Sequence, residues 1–484
     1  MNTATQRIGD TPVPNTQMGT GVSPLLWFLL FLLPGCKTVT EHLSPDAEEA
    51  FPDSAGTFLQ ADEDAPAATP LPQDGWWKAF NDPQLDQLLD HLNQHNPDAK
   101  AALARYDQSL AVLGITRAKL LPTLKGNGRV TTRQDSVNSL LFPISSPNYD
   151  QYSIGLNASW ELDLWGRVQA AAKSDRFLAK GAEANYRSLL LSLQATLAQQ
   201  YFAHHANHSQ QTFLQQSRDL AAENLKMHQA RLDIGEGRQS DISKALQELQ
   251  DTEAALELAR RNTGKLRHSM AILLGQLPSQ FEPAEDISPT LPEVPAGLPS
   301  GLLARRPDLL AAELQLRSAA IRVGLGKVDF LPKITLVGNA GYASLTDDNL
   351  LKNPSEFYDY GPQLDLPIFS YKLRHSVVGQ AKAHFEERAA QYHSAFLNAV
   401  REVDDSLLDL KSHTRELTLQ RQTLESTTLS AQAAKDRYDT GLTDYFDYIL
   451  AEQIRLQTAA REATLSSEQL SASVRLIQAL GGTW

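Results

Sequence analysis

The chain has a single cysteine, Cys36, among 484 residues. Intrachain disulfides, zinc fingers and CxxC redox chemistry are therefore excluded. Basic residues are in deficit, 44 Lys and Arg against 57 Asp and Glu, for a net charge of −13. A nucleic-acid binder would need the opposite balance to displace counterions from phosphates. The apolar run at 25–33 is nine residues long, about 14 Å as a helix, where a membrane-spanning helix needs about 20 residues. With 42% hydrophobic residues, the composition argues against a polytopic helical membrane protein. There is no P-loop, no GxSxG elbow and no HExxH, and Gly324-Leu-Gly326 lacks the rest of a dinucleotide fingerprint. Proline is missing from residues 148–277 and 368–484, although the chain has 25 prolines elsewhere. Proline removes a helical hydrogen bond and clashes with the preceding turn, so such blocks read as long helices.

What is present begins with an address. The apolar run reads as the core of a secretory signal over residues 1–35, with Met18 an alternative start to Met1. It ends at Leu33-Pro34-Gly35-Cys36, which resembles a bacterial lipoprotein cleavage site and implies a lipid on Cys36. Lys37 rather than aspartate follows, the pattern sorted to the outer membrane; the other reading of Cys36 is a buried structural thiol. Residues 36–74 are rich in Pro, Ala, Asp, Glu and Ser and read as an extended tether from lipid to folded body.

The rest of the chain repeats. Asn96-Pro97-Asp98 opens an Ala- and Leu-rich stretch ending at Leu121-Pro122, and Arg306-Pro307-Asp308 opens another ending at Leu331-Pro332. Arg231-Leu-Asp-Ile-Gly235 matches Arg437-Tyr-Asp-Thr-Gly441 at an offset of 206, and Leu274-Gly275 matches Leu480-Gly481 at the same offset. The order of landmarks makes two halves, 75–280 and 281–484. Each reads as short helices, a pair of strands, then two long helices. Strict period-two alternation over 153–164 sets Ile154, Leu156, Ala158, Trp160, Leu162 and Leu164 on one face. Residues 123–133, 333–344 and 357–368 supply three more strands, with Tyr358, Tyr360, Leu364, Leu366 and Ile368 in phase. Tyr149, Tyr152, Tyr342, Phe357, Tyr358 and Tyr360 lie near strand ends, as an interfacial aromatic belt would; the strands alone fit an ordinary soluble sheet packed on a core equally well. Four strands cannot close a membrane barrel, whose smallest examples have about eight. An open edge in lipid has no hydrogen-bonding partner. Closure must therefore come from other copies, and three give twelve strands. A helix from Gly166 to Arg231 would be about 100 Å long.

At these residues the sequence resembles the TolC-like outer-membrane efflux channels, in the lipoprotein branch that serves resistance-nodulation-division (RND) pumps. The resemblance rests on Trp76-Trp77 with Asp82-Pro83, Asn96-Pro97-Asp98, Trp160-Glu-Leu-Asp-Leu-Trp-Gly166-Arg167, Arg305-Arg306-Pro307-Asp308 with Ala312-Glu313, Leu366-Pro367-Ile368-Phe369 and both Arg-x-Asp-x-Gly turns. It implies a mixed α/β membrane protein, a homotrimer with a 12-stranded outer-membrane β-barrel continuous with a long periplasmic α-helical barrel. It implies no catalysis and no cofactor beyond the lipid. The implied partners are a periplasmic adaptor, an inner-membrane RND pump and outer-membrane lipid, not nucleic acid. The expected role is a passive conduit exporting small toxic compounds. Alternatives are a conduit for secreted polypeptides or metal ions, and, from another class, a trimeric coiled-coil surface protein. Ser370-Tyr371-Lys372 stand where the family has glycines before a basic residue.

The resemblance also assigns residues. The turns at Gly235 and Gly441, with Arg231 and Arg437, would dock the adaptor. Tyr438, Asp447 and Asp241 match the family's periplasmic gate, whose aspartates would form an acidic ring near the axis. Thr443 stands where that gate has a basic residue; Arg437 and Arg238 are nearby bases. Otherwise these are solvated residues beside a turn. His204 and His208 share a helix face at metal-compatible spacing, but the pattern reads better as solvated histidines, and Asp404-Asp405 as a solvated face.

Overall fold

The computed structural model describes residues 39–47, 75–134, 148–284, 289–292 and 305–482. Cys36 and the apolar run lie outside them. In chain order the elements are α1 (Val39–Leu43), a 3-10 turn (Trp76–Phe80), α2 (Pro83–His95), α3 (Pro97–Ala118), β1 (Thr123–Gln134), β2 (Asn148–Leu162), α4 (Arg167–Asp233), α5 (Gln239–Leu273), α6 (Pro307–Val328), β3 (Lys333–Ser344), β4 (Glu356–Asp365), α7 (Tyr371–Asp439) and α8 (Tyr445–Ala479). The duplication is plain in their lengths. Both α3 and α6 have 22 residues, α5 and α8 have 35, and α4 and α7 have 67 and 69. At about 1.5 Å per residue the two longest helices each span about 100 Å.

Local chemistry explains where the helices begin and end. Asp82 caps α2 by accepting from the backbone N–H of Gln84 (3.0 Å) and Leu85 (3.2 Å), with Pro83 at the first helical position. The four long helices end on glycines in the left-handed region, Gly235, Gly275, Gly441 and Gly481, with φ of 79°, 71°, 75° and 86°. Glu236 N–H returns to the carbonyl of Arg231 (2.9 Å) and Leu442 N–H to that of Arg437 (2.8 Å). This closure satisfies orphan carbonyls and needs a residue that tolerates positive φ. The Arg-x-Asp-x-Gly motif is thus a helix stop.

The Asn-Pro-Asp and Arg-Pro-Asp motifs have a shared job as well. Asn96 caps α3 by accepting from Ala99 N–H (2.9 Å), and its Nδ2 donates to the carbonyl of Leu273 at the end of α5 (2.7 Å). In the second half Arg306 Nη1 donates to the carbonyl of Ala479 at the end of α8 (2.8 Å). Each repeat therefore pins the end of its returning helix to the start of its short helix. Arg306 is buried, and its charge is matched by Asp308 (2.8 Å) and Glu402 (2.7 Å).

Around these pins lies the main core. Trp76, Trp77 and Phe80 of the 3-10 turn and Leu85, Leu89 and Leu92 of α2 pack on α4 at Leu197, Tyr201 and Phe202. Met270 of α5, Val403 of α7 and Leu476 and Ile477 of α8 complete the cluster. Two buried polar tips find partners, Trp76 Nε1 donating to Gln194 Oε1 (3.1 Å) and the Tyr201 hydroxyl to Asp82 Oδ2 (3.0 Å), while Trp77 Nε1 has none among the described residues.

The described part of the expected tether is not extended. Residues 39–43 form α1, docked along α6. Thr40 Oγ1 donates to the carbonyl of Trp165 (2.9 Å), Lys327 Nζ donates to that of Leu43 (2.6 Å), and Ala47 packs on Leu316 and Ala320. Gly324 makes this approach possible, because a Cβ there would stand 2.5 Å from the carbonyl oxygen of Thr40. Composition reported few large apolar residues and missed that small ones suffice when the facing helix offers a glycine.

The glycine turns should differ in tolerance. At Gly441 an added Cβ meets nothing, whereas at Gly275 it would lie 2.8 Å from the carbonyl oxygen of His95. Gly441→Ala should cost about 1 kcal/mol from the backbone alone, and Gly275→Ala about 2–3 kcal/mol. Thermal unfolding followed by the helical circular dichroism signal checks the order.

Candidate functional site

The four strands form one antiparallel meander in the order β1-β2-β3-β4. Cross-strand partners share a face, so the register sorts every side chain. One face carries Leu124, Val130, Tyr152, Ile154, Leu156, Trp160, Leu336, Tyr342, Tyr358, Tyr360 and Leu364. Many of these are bare, with Leu124 69% and Tyr360 83% exposed. The opposite face is polar. One row runs Lys125, Asn157, Asn339, Asp359 across all four strands. Asn157 Nδ2 donates to Asn339 Oδ1, and Asn339 Nδ2 to Asp359 Oδ2 at 2.8 Å. An exposed apolar face backed by a polar one suits a wall between hydrocarbon and a watery interior. Twelve residues of strand span about 40 Å, about 30 Å tall at a barrel tilt, which matches a bilayer core of about 30 Å. No helix among the described residues is long and apolar enough to cross a membrane.

The register corrects the aromatic belt. Tyr152, Tyr342, Tyr358 and Tyr360 lie on the apolar face, but Tyr149 and Phe357 pair with Arg133 and Gly341 on the polar one. Odd and even positions point to opposite faces, so proximity to a strand end is not enough. Strands β2 and β4 also stop earlier than expected, leaving Leu164, Leu366 and Ile368 in the turns to the helices. Phe369, beside the atypical Ser370-Tyr371-Lys372, is fully exposed.

At the other end of the molecule, the reversals after α4 and α7 lie together. Arg231 Nη2 pairs with Asp444 Oδ2 at 3.0 Å, and its guanidinium lies 5.0 Å from the Phe446 ring centroid. Phe446 stacks on His228 at 4.4 Å. Tyr445 packs between Tyr438 (4.8 Å) and Tyr448 (5.6 Å). Burial raises the Tyr445 hydroxyl's pKa above its ordinary value, and the bonded Glu223 carboxylate adds to the effect. Further up, Glu248 accepts from Asn224 (3.3 Å) and from Gln453. These contacts fasten α4 and α5 of the first repeat to α8 of the second.

A family signature described as outer membrane efflux protein matches residues 88–276 and 298–482. The chain belongs to this family. It is 31% identical over 417 residues to the pyoverdine export outer membrane protein OpmQ of Pseudomonas aeruginosa, covering 84% of this chain and 87% of that protein. To the solvent efflux pump outer membrane protein SrpC of Pseudomonas putida it is 28% identical over 466 residues, covering 94% and 97%. The fold superposes on the outer-membrane channel OprN with a TM-score of 0.77 and 25% identity, over 93% of this chain and 98% of that one. With the Campylobacter jejuni CmeC outer membrane channel the TM-score is 0.82 at 24% identity, over 91% and 94%. This outer membrane efflux protein is the outer-membrane channel component of an efflux system and reaches into the periplasm. Its relatives are channel and efflux proteins rather than enzymes.

Within one efflux-protein chain the expected gate residues do not meet. Tyr438 touches Tyr445 rather than a carboxylate. Asp447 is exposed, and among the described residues Asp241 accepts only from the neighbouring Ser240 hydroxyl (3.4 Å). Gly235, Gly441 and the side chain of Arg437 are exposed at the reversals. The cation that engages the second reversal is Arg231, not Arg437 or Arg238. The Thr443 hydroxyl is buried without a partner. Sequence reasoning also missed Asp444, Phe446, Tyr445 and His228. An aromatic run of Tyr438, Tyr445, Phe446 and Tyr448 in a chain with 7% aromatics was the available signal.

His204 is a correction too. It is buried at the helix interface rather than solvated. Burial is the main cause of its lowered pKa, about 4, with His208, His205 and Arg267 adding repulsion. The folded chain holds it neutral, so this stability is present above the unfolded value near 6.5 and is lost as pH falls toward 4. His204→Gln should therefore flatten the fall in unfolding free energy between pH 7 and 4, by up to roughly 3 kcal/mol. Chemical denaturation of both proteins across that range tests it.

Proposed function

We propose that three copies of this chain close edge to edge into a 12-stranded outer-membrane barrel continuous with a periplasmic helical tunnel. The assembly is a passive conduit for small toxic compounds, fed by an inner-membrane RND pump through a periplasmic adaptor. The observation that carries this reading is a four-stranded meander whose two edges are open among the described residues, joined to helices of 67 and 69 residues. Open strand edges have no partners in hydrocarbon, so the sheet is completed only by further copies. Two copies give eight strands, a bore that side chains fill; three give a passage. Catalysis has no part in this role. The names of relatives, among them solvent and toluene efflux and pyoverdine export proteins, support a small-molecule cargo.

A lipid on Cys36 is the second membrane attachment. The helix reversals at Gly235 and Gly441, six per trimer, form the adaptor-docking surface, with Arg231 and Arg437 at the ends of their helices. Asp241, Tyr438 and Asp447 form the periplasmic gate, through contacts between copies. Arg231 supplies the cation that position 443 lacks and ties the two reversals of each chain through Asp444.

Conductance in planar bilayers tests the gate. The Asp241→Ala, Tyr438→Phe, Asp447→Ala triple variant should conduct more than wild type and lose cation preference. Adding Arg231→Ala should open it further. A triple variant with wild-type conductance and selectivity would remove these residues from the gate. For the anchor, Cys36→Ser should abolish palmitate labelling and leave unprocessed precursor, and unchanged labelling would contradict the lipid assignment.

A further inference from the structure

The charges of the four strands are not shared evenly. Every charged residue of β1 is basic, Lys125, Arg129 and Arg133, and every charged residue of β4 is acidic, Glu356, Asp359 and Asp365. These are the two edges of the sheet. Lys125, Arg129, Arg133, Asp359 and Asp365 all stand on its polar face, at odd positions along both strands. Glu356 is on the other face, where its carboxylate accepts from the Tyr342 hydroxyl (3.2 Å).

We infer that β1 of one copy and β4 of the next meet along an ion-pair seam on the lumenal side of the barrel, in one of two registers. This rests on the closed-ring reading above. The meander alternates direction, so β4 runs antiparallel to the β1 that follows it around the ring. Ten residues of β4 lie wholly against twelve of β1 only if Asp365 faces residue 123, 124 or 125. The middle choice sets polar-face side chains against apolar-face ones and is excluded by the pleat. If Asp365 faces Thr123, Asp359 stands directly opposite Arg129, and Lys125 is one diagonal step from Asp365. If Asp365 faces Lys125, Asp359 faces Thr131 and is flanked diagonally by Arg129 and Arg133. Opposite Cβ atoms are about 5 Å apart and diagonal ones about 7–8 Å, both within reach of lysine and arginine. Both registers therefore give each aspartate a base from the neighbouring copy. Lys333 is the cross-strand partner of Asp365 within the chain, and no ion pair joins the two among the described residues.

Barrel geometry gives independent support. The row Lys125, Asn157, Asn339, Asp359 runs perpendicular to the strands. The two registers continue it onto Arg129 or Thr131 of the next copy, an advance of four or six residues per chain. With about 3.3 Å per residue and about 4.8 Å between strands, twelve strands then tilt by roughly 35° or 46°. Membrane barrels tilt by about 35–45°. The same charge pattern opposes pairing of like edges, β1 with β1 or β4 with β4, so it selects the head-to-tail ring.

The test uses the full-length protein purified from outer membranes. Lys125→Glu with Arg129→Glu should lose the heat-resistant trimer on mild detergent gels, and so should Asp359→Lys with Asp365→Lys. All four changes together should restore it, while Thr335→Glu, on the same face of an inner strand, should leave it intact. In parallel, the pair Arg129→Cys and Asp359→Cys, or the pair Lys125→Cys and Asp365→Cys, should give disulfide-linked trimers, and the pair that links identifies the register. Wild-type protein that is monomeric overturns the closed ring itself. A trimeric wild type whose β1 reversal dissociates at the same temperature, or in which neither cysteine pair links, overturns the seam alone.

Discussion

A backbone N–H or C=O inside hydrocarbon has no water to bond to, and each one left open costs several kcal/mol. That constraint governs the upper half of this molecule. It demands that β1 through β4 be paired along their length, that one face of the sheet be apolar, and that both edges find partners in other copies. The exposed Leu124, Tyr358, Tyr360 and Leu364 are thus membrane-facing residues rather than an unfinished core. Charged edges also keep an incomplete sheet from pairing with the wrong strand on the way to the membrane.

Below the membrane a different physics applies. Helices about 100 Å long cannot be held by their ends alone; they are gripped at one level by the Trp76, Phe80 and Leu85 cluster and by the pins at Asn96 and Arg306. The two repeats solve the same mechanical problem with different side chains. An amide at 96 can donate and accept at once, so it caps one helix and closes another. A guanidinium at 306 only donates, and once buried it requires the carboxylates of Asp308 and Glu402. That asymmetry makes the second pin the more costly one to disturb.

The reversals at the far end show a similar division of labour. Their backbone is nearly the same in both repeats, because a helix stop by a left-handed glycine is a local solution. Their side chains are unlike. Arg231 comes from the first repeat, while Asp444, Tyr445 and Phe446 come from the second, so the contact exists only because duplication placed two different tips side by side. The ion pair at the second reversal comes from across the chain, Arg231 to Asp444, rather than from a neighbouring position.

Much of the architecture was legible along the chain. Proline-free blocks marked the long helices, period-two alternation marked β2 and, with it, the membrane face, and the offset of 206 marked the repeat. These are local or periodic properties, set by backbone sterics and by which face meets hydrocarbon. What depended on contacts between distant segments was not legible. Docking of α1 needed the missing side chain of Gly324, the burial of His204 needed the packing of neighbouring helices, and the pairing of Arg231 with Asp444 needed the two reversals to meet. The sequence by itself determined the elements and their repeat. Only the tertiary structure decided which charges face one another, because the partner of a long side chain depends on distances across the fold that spacing along the chain does not encode.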